Sequence, residues 1–195
     1  KSKIKRKFKA TTNSNHKLPV ADNILNRKFN PKAPNQLWAS DISYIETKEG
    51  WLYLGVTMDL FSRKIVGWDM QDNMRTDLAI EALNRALKSR KPPKGVLHHS
   101  DRGVQYASHA FQDKLKAYGV ICSMSRKGEC YDNAVVESFF HSLKTELVYL
   151  TNFQTRREAK DAISEYIELF YNHQRLHSTL GYLSPHEFEK TKKVA

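Results

Sequence analysis

Cysteine is almost missing from this chain: 195 residues hold two, Cys122 and Cys130. Two thiols build no disulfide framework and offer no paired metal-ligand spacing, which leaves both as structural side chains in a reducing compartment. No apolar run approaches the length that spans a bilayer, and mean hydropathy is -0.63, so no membrane association is expected. The basic N-terminus lacks the apolar segment of a signal peptide. Internal repeats and low-complexity tracts are absent too. There is no initiator Met, and the chain is expected to be a fragment.

Positive charge is abundant and unevenly spread. Residues 1–34 carry ten Lys or Arg against one acid, Asp22. Residues 35–150 carry fifteen against fourteen, and residues 151–195 seven against six. The basic character therefore lives in an arm, while the body is nearly neutral. A polyanion such as nucleic acid fits that arm, because each Lys or Arg that neutralises a phosphate releases a counterion. Lys5, Arg6 and Lys7 are its candidate contacts. A solvated tail fits the same composition.

Three regions follow: a basic arm or linker over 1–34, a core over 35–150 and a helical extension over 151–195. The arm has Pro at 19, 31 and 34, with room for a short helix around Val20–Arg27. Strands are expected over Trp38–Ile45, Leu52–Met58 and Ile65–Met70, β-branched and aromatic runs joined by short turns into an antiparallel meander. Thr76 is expected to cap a helix with Ala79, Ile80, Leu83, Ala86 and Leu87 as its apolar stripe. A short strand at Val96–His99, a helix through Phe111, Leu115 and Tyr118, and a strand at Val120–Cys122 come next. Thr155 and Glu158 form a capping box opening a helix whose stripe is Ala159, Ile163, Tyr166, Ile167 and Phe170. The order βββ-α-β-α-β-α predicts an α/β fold, a mixed five-stranded sheet flanked by helices.

The stretch Tyr131–Lys144 opens another helix, with Asp132 or Asn133 as cap and Val136, Phe139, Phe140 and Leu143 at helical spacing. Glu137 and Lys144 lie two turns apart on one line of it. Asp41 sits inside an apolar, aromatic strand, where burial demands a partner or a metal. Asp101 ends the fourth strand. Sites in α/β sheets collect at strand ends and adjacent helix termini, so Asp41, Asp101 and Glu137 are expected to converge. Clustered carboxylates want cations, and oxygen-only ligands select Mg²⁺ or Mn²⁺. Two such ions per site activate an attacking oxygen and stabilise a leaving one in phosphoryl transfer. Taken singly, each acid is better explained as a solvated surface charge or a cap.

The segments Trp38-x-x-Asp41-Ile42-x-Tyr44-Ile45, His99-Ser100-Asp101-Arg102-Gly103-x-Gln105-Tyr106 and Asp132-Asn133-Ala134-x-x-Glu137-Ser138-Phe139-Phe140 closely resemble insertion-sequence transposases of the OrfB type. That group is numbered three in insertion-sequence nomenclature and is similar to retroviral integrases. Thirty-five residues separate Asp101 from Glu137, and Lys144 follows Glu137 by seven, as in the family signature. The tail Tyr171-Asn172-x-x-Arg175-x-His177-x-x-Leu180-Gly181-Tyr182-x-Ser184-Pro185 matches as well, and Ser43 stands where Thr is common. The resemblance implies a ribonuclease H-like DDE domain that cleaves and joins DNA strands at element ends. Its implied acid triad is Asp41, Asp101 and Glu137, holding two divalent metals. It further implies terminal-repeat and target DNA as partners, a homodimer or higher oligomer on DNA, and a bacterial cytoplasmic setting. An upstream helix-turn-helix region is expected to be missing.

Lys144 is a candidate contact to DNA near the scissile phosphate, against a plain surface lysine. Arg102, Gln105, Arg126 and Lys127 lie in loops expected near the site, with Gly128 permitting an unusual turn. Asp59 is either an accessory carboxylate or a turn cap. Of His98 and His99, one is expected to pack in the core, and His99 is a candidate to orient Asp101. Arg175, His177 and Tyr182 either pack the tail on the core or touch phosphate.

Overall fold

A computed structural model of the chain describes residues 16–126 and 130–193. Five strands run β1 (Leu37–Thr47), β2 (Gly50–Asp59), β3 (Lys64–Gln71), β4 (Leu97–Ser100) and β5 (Ile121–Met124). Their order in the sheet is β3-β2-β1-β4-β5, antiparallel across the first three and parallel from β1 onward. Helices α1 (Thr76–Arg90), α2 (Val104–Ala107) and α3 (His109–Ala117) connect the later strands. Then come α4 (Ala134–Glu146), α5 (Arg156–Glu165) and α6 (Pro185–Lys193). The expected mixed sheet is present. Among the described residues no helix is long and apolar enough to cross a membrane.

Alternation in β1 divides two cores. Leu37, Ala39 and Ile45 belong to the one that α4 and α5 fill with Val136, Phe139, Leu143, Ala159 and Ile163. Trp38 belongs to the other, with Leu83 and Ala86 of α1 and Phe111 and Leu115 of α3. Gly67 of β3 sets the approach of α1, since a Cβ there would collide with the backbone of Ala82 and Ala86. Asp41 pairs across the sheet with Val56, so it lies on the α4 face. β1 pairs with β4 only through Leu37–Ala39, so the two parallel strands part company just before Asp41.

Several local expectations are corrected. Val20–Arg27 is not a helix: Asn26 and Arg27 have positive φ, and the Asn23 carboxamide accepts from the Asn26 N–H in a turn. The segment from His16 is laid on the core, with Leu25 buried and its N–H donated to Ser123 Oγ. Thr76 is the first helical residue, preceded by Arg75, and no side chain caps α1. Neither Asp132 nor Asn133 caps α4 through its side chain. Thr155 does cap α5, accepting from the Glu158 N–H.

After α5 a π-helical turn, Tyr166–Tyr171, adds a residue to the stripe. Tyr171 is thereby buried in place of Phe170, which is 40% exposed. Asp59 takes the turn-cap reading: its carboxylate accepts from the Asn35 and Phe61 N–H groups and pairs with Arg90. Cys122 is a half-buried free thiol, pushed up by burial. Lys5, Arg6, Lys7, Lys127 and Gly128 lie outside the described residues.

Candidate active site

The site forms where β1 and β4 diverge. Asp41 projects from the middle of β1, and its Oδ1 accepts from the Ile42 N–H at 2.8 Å. Asp101 follows the last residue of β4, and its Oδ1 accepts from the Gly103 N–H at 2.8 Å. That bond tightens the turn into α2, as Asx side chains commonly do. Glu137 stands in the first turn of α4 with Lys144 two turns on. Buried Val136, Phe139, Phe140 and Leu143 hold that helix down, each worth about 1.5–3 kcal/mol of burial.

Electrostatics join the four side chains. Burial holds the Asp41 carboxyl well above the ordinary range, Asp101 pushes it further and Glu137 adds to this. The Ile42 N–H and Lys144 oppose the shift. Glu137 is raised by burial and then by Asp101. Burial lowers Lys144 while Asp41 supports its charge. Asp41 thus feels the charges of Asp101, Glu137 and Lys144, and Glu137 that of Asp101.

Oxygen donors under mutual repulsion, countered by one nearby lysine, are the donor set a hard divalent cation fits. Among the described residues, no three His, Cys, Asp or Glu side chains are close enough to hold a metal ion as they stand. Asp41, Asp101 and Glu137 are the residues that would hold it.

The surrounding scaffold was less evident from sequence. Ser40 Oγ bonds Thr57 Oγ1 at 2.9 Å and His98 Nε2 at 2.8 Å, while the Asn133 carboxamide donates to Ser40 O. One backbone position beside Asp41 thus ties β1 to β2, to β4 and to the entry of α4. Tyr106 is buried close to both aspartates, and burial followed by Asp41 and Asp101 raises its phenol well above the usual value. It lies in the motif after Asp101, which was the available signal. Lys144 Nζ sits 4.8 Å from the centroid of the Tyr44 ring. That pairing crosses a hundred residues and had no local signal.

Other candidates fall out differently. Gln105 is corrected: it is buried and its amide donates to Met74 O, so it braces α2 rather than facing a ligand. Both ring nitrogens of His99 are engaged by Ser123 and Ser125, so the expected role in orienting Asp101 is not seen. Arg102 donates to Ser125 O at 2.5 Å, and its carbonyl meets His16 Nε2 at 2.7 Å. Arg126 pairs with Asp132, which also receives Arg27 and Asn23. That cluster holds the Asp132 carboxyl well below its usual range, the Arg126 hydrogen bond being the largest cause.

Comparison with known proteins agrees with this architecture. The Integrase core domain model matches residues 31–130, and a second Integrase core domain model matches 137–192. The chain is 51% identical over 194 residues to the Insertion element IS600 uncharacterized 31 kDa protein of Shigella sonnei, covering 99% of this chain and 71% of that protein. It is 48% identical over 189 residues to Transposase InsF for insertion sequence IS3A of Escherichia coli (strain K12), covering 97% and 66%. It thus spans about two thirds of the length of these relatives. Among solved structures, the HTLV-2 integrase catalytic core domain in complex with magnesium (trimeric form) superposes at TM-score 0.60 and 17% identity, covering 81% of this chain and 98% of that one. That likeness establishes a retroviral-integrase, ribonuclease H-like fold. By sequence and by fold, the chain belongs to the integrase core domain family, among the transposases of insertion sequences.

Proposed function

We propose that this chain cleaves and joins DNA strands at insertion-sequence ends by phosphoryl transfer, with Asp41, Asp101 and Glu137 as its catalytic residues. The supporting observation is that a strand, a strand end and a helix distant in sequence put three carboxylates within one another's field, where burial first and then neighbouring carboxylate charge raise Asp41 and Glu137. Such destabilised acids mark functional sites. The HTLV-2 core was solved with magnesium, which supports Mg²⁺, or Mn²⁺, two ions per site, as the group bound here. When bound, the ions supply a polarised phosphodiester and an activated attacking oxygen.

The chain's own residues set the geometry. Asp41 sits on backbone fixed by sheet pairing, Asp101 directly follows the last paired residue of β4, and Glu137 is carried by a helix anchored in the core. Lys144, steadied over Tyr44, offers a cation to a phosphate next to the carboxylates. Water, or a DNA 3′-hydroxyl, attacks phosphorus as the bond to the departing 3′-oxygen breaks. The protein forms no covalent intermediate. Two element ends must meet for transposition, so assembly of at least two copies on DNA is part of the proposal. The trimeric form of the HTLV-2 core supports such assembly.

The test is incubation with element-end DNA and Mg²⁺ or Mn²⁺. Joined products that vanish in Asp41→Asn, Asp101→Asn and Glu137→Gln are expected. Cleavage without joining would instead indicate a nuclease. Unaltered joining in those variants would remove the triad.

A further inference from the structure

A second polar pocket, of about 370 Å³, opens beside α4 on a different stripe of that helix. Val135, Ser138 and Ser142 line it, whereas Glu137 and Lys144 lie on the opposite flank of the helix, across the buried stripe of Val136, Phe139 and Leu143. Arg63, from the β2–β3 turn, and the tail residues Arg175, His177 and Tyr182 complete its wall.

Its charges are unevenly satisfied. Arg175 is spent on Glu146, to which Nε and Nη2 both donate, and the Tyr166 hydroxyl donates to the same carboxylate. Arg63 is half-buried, and among the described residues its guanidinium has no acidic partner. Burial lowers it, and only the nearby Tyr171 phenol opposes that shift. His177 packs edge-on against Tyr171, centroids 5.1 Å apart, and its Nε2 is buried with no hydrogen-bond partner. Burial, then Arg175 and Arg63, lower this imidazole to about 4, so it is neutral near pH 7. A half-buried guanidinium without an anion calls for acceptor oxygens, and the orphaned ring nitrogen can serve the same ligand in its Nε2–H tautomer.

The tail is built to hold them there. The His177 N–H donates to Leu183 O, and the His177 carbonyl accepts from the N–H groups of Leu180 and Tyr182. This closed loop places Tyr182 at φ 60, an uncommon conformation for an aromatic residue, and leaves the residue 71% exposed while it lines the pocket.

We propose that this pocket grips a backbone phosphate of an unpaired DNA nucleotide, with Tyr182 stacking on its base. Arg63 forks onto two phosphate oxygens and His177, in its Nε2–H tautomer, donates to a third position. Ser138 and Ser142 supply hydroxyls. The volume exceeds what a lone anion fills and suits a nucleotide. A free phosphate would satisfy the same donors, so the test separates the two sources. The proposal rests on the reading that this chain acts on DNA strands. The pocket lies on the flank of α4 away from the acids, so it would hold a stretch of DNA other than the one being cut.

The experiment measures binding of the full chain, by fluorescence anisotropy over a salt series, to a blunt duplex and to the same duplex with a short unpaired extension. Arg63→Gln is expected to flatten the plot of log affinity against log salt by about one on the extended DNA. Arg63→Lys should keep the slope. Tyr182→Ala is expected to weaken the extended DNA roughly 5- to 100-fold and leave the blunt duplex unchanged. Should Arg63→Gln melt far below wild type, Ser142→Glu replaces it, and loss of the preference for the extension is then the expected result. An unchanged slope or an unchanged preference overturns the proposal. Inorganic phosphate that shifts the His177 ring resonances, while these variants bind DNA as wild type does, would assign the pocket to free phosphate and overturn it as well. Asp41→Asn and Glu137→Gln should bind with the wild-type slope yet join nothing. Persistent joining in them would sink the triad alone and leave the pocket result standing.

Discussion

Lys144 and Tyr44 meet through the ammonium and the ring face, 4.8 Å from the centroid, beside Asp41. The ring holds a cation that burial would otherwise disfavour. Such a contact is worth about 0.5–2 kcal/mol. Tyr44→Phe keeps the ring and should join DNA within about twofold of wild type. Tyr44→Leu should lose roughly 2- to 30-fold. On a Lys144→Gln background, itself at least ~10-fold impaired, the second change should add nothing. Additive losses would mean that the tyrosine acts without the lysine.

The carboxylates of the site make the metal-free protein less stable at neutral pH. Asp41 is raised in the folded state, so its protonated form is favoured there and its contribution is lost as pH rises through the folded value. Asp41→Asn fixes the neutral form. In the presence of a chelator it should melt above wild type by several degrees, since about 1 kcal/mol corresponds to ~2–4 °C in a chain of this size. Mg²⁺ should raise wild type and leave the variant behind. Equal melting of the two proteins in chelator would argue that neither burial nor repulsion destabilises the charged carboxylate.

How much of this was legible in sequence depends on the range of each interaction. The meander and α1 follow from period-two and period-3.6 patterns within ten or fifteen residues, and they appear within a residue or two of expectation. Phe170 was misplaced because a π-turn shifts the stripe, and no local pattern announces the extra residue. Asp41, Asp101 and Glu137 were evident from motifs whose spacing is itself the signal. Their support was not: Ser40 reaches His98 across 58 residues, and Lys144 reaches Tyr44 across the sheet. Gln105 reads as exposed from its loop position, whereas its buried amide is bonded to Met74 O and ties α2 to the β3–α1 connection.

Asp132 ties the entry of α4 to the segment that precedes β1. It accepts from Asn23 at 2.7 Å and from Arg27 at 2.9 Å, and from the Arg126 N–H at 3.0 Å. Its carboxyl is depressed, so its contribution is complete above the unfolded value near 4 and is lost as pH falls below it. Asp132→Asn should cost about 1–3 kcal/mol at pH 7, the arginines being half-exposed, and much less near pH 3. Because Glu137 lies five residues on, DNA joining should fall with it. A variant with wild-type stability at pH 7 would show the cluster to be incidental.

His98 titrates in the opposite sense to a paired histidine. It is fully buried between Ser40 and Phe111, with ring centroids 5.4 Å apart in the latter contact. Burial and then the neighbouring His99 lower it to about 3. The unfolded chain takes up a proton near pH 6.5, while the folded chain resists until about 3. The contribution of His98 to stability should therefore be constant above pH 7 and decline through that window. The limiting slope is about 1.4 kcal/mol per pH unit for this residue. Urea midpoints between pH 7.5 and 4.5 measure it, and His98→Gln, which cannot titrate, should reduce the slope by one proton. If the two proteins lose stability in parallel, the decline belongs to other groups and His98 is not the neutral, buried imidazole that its contacts describe.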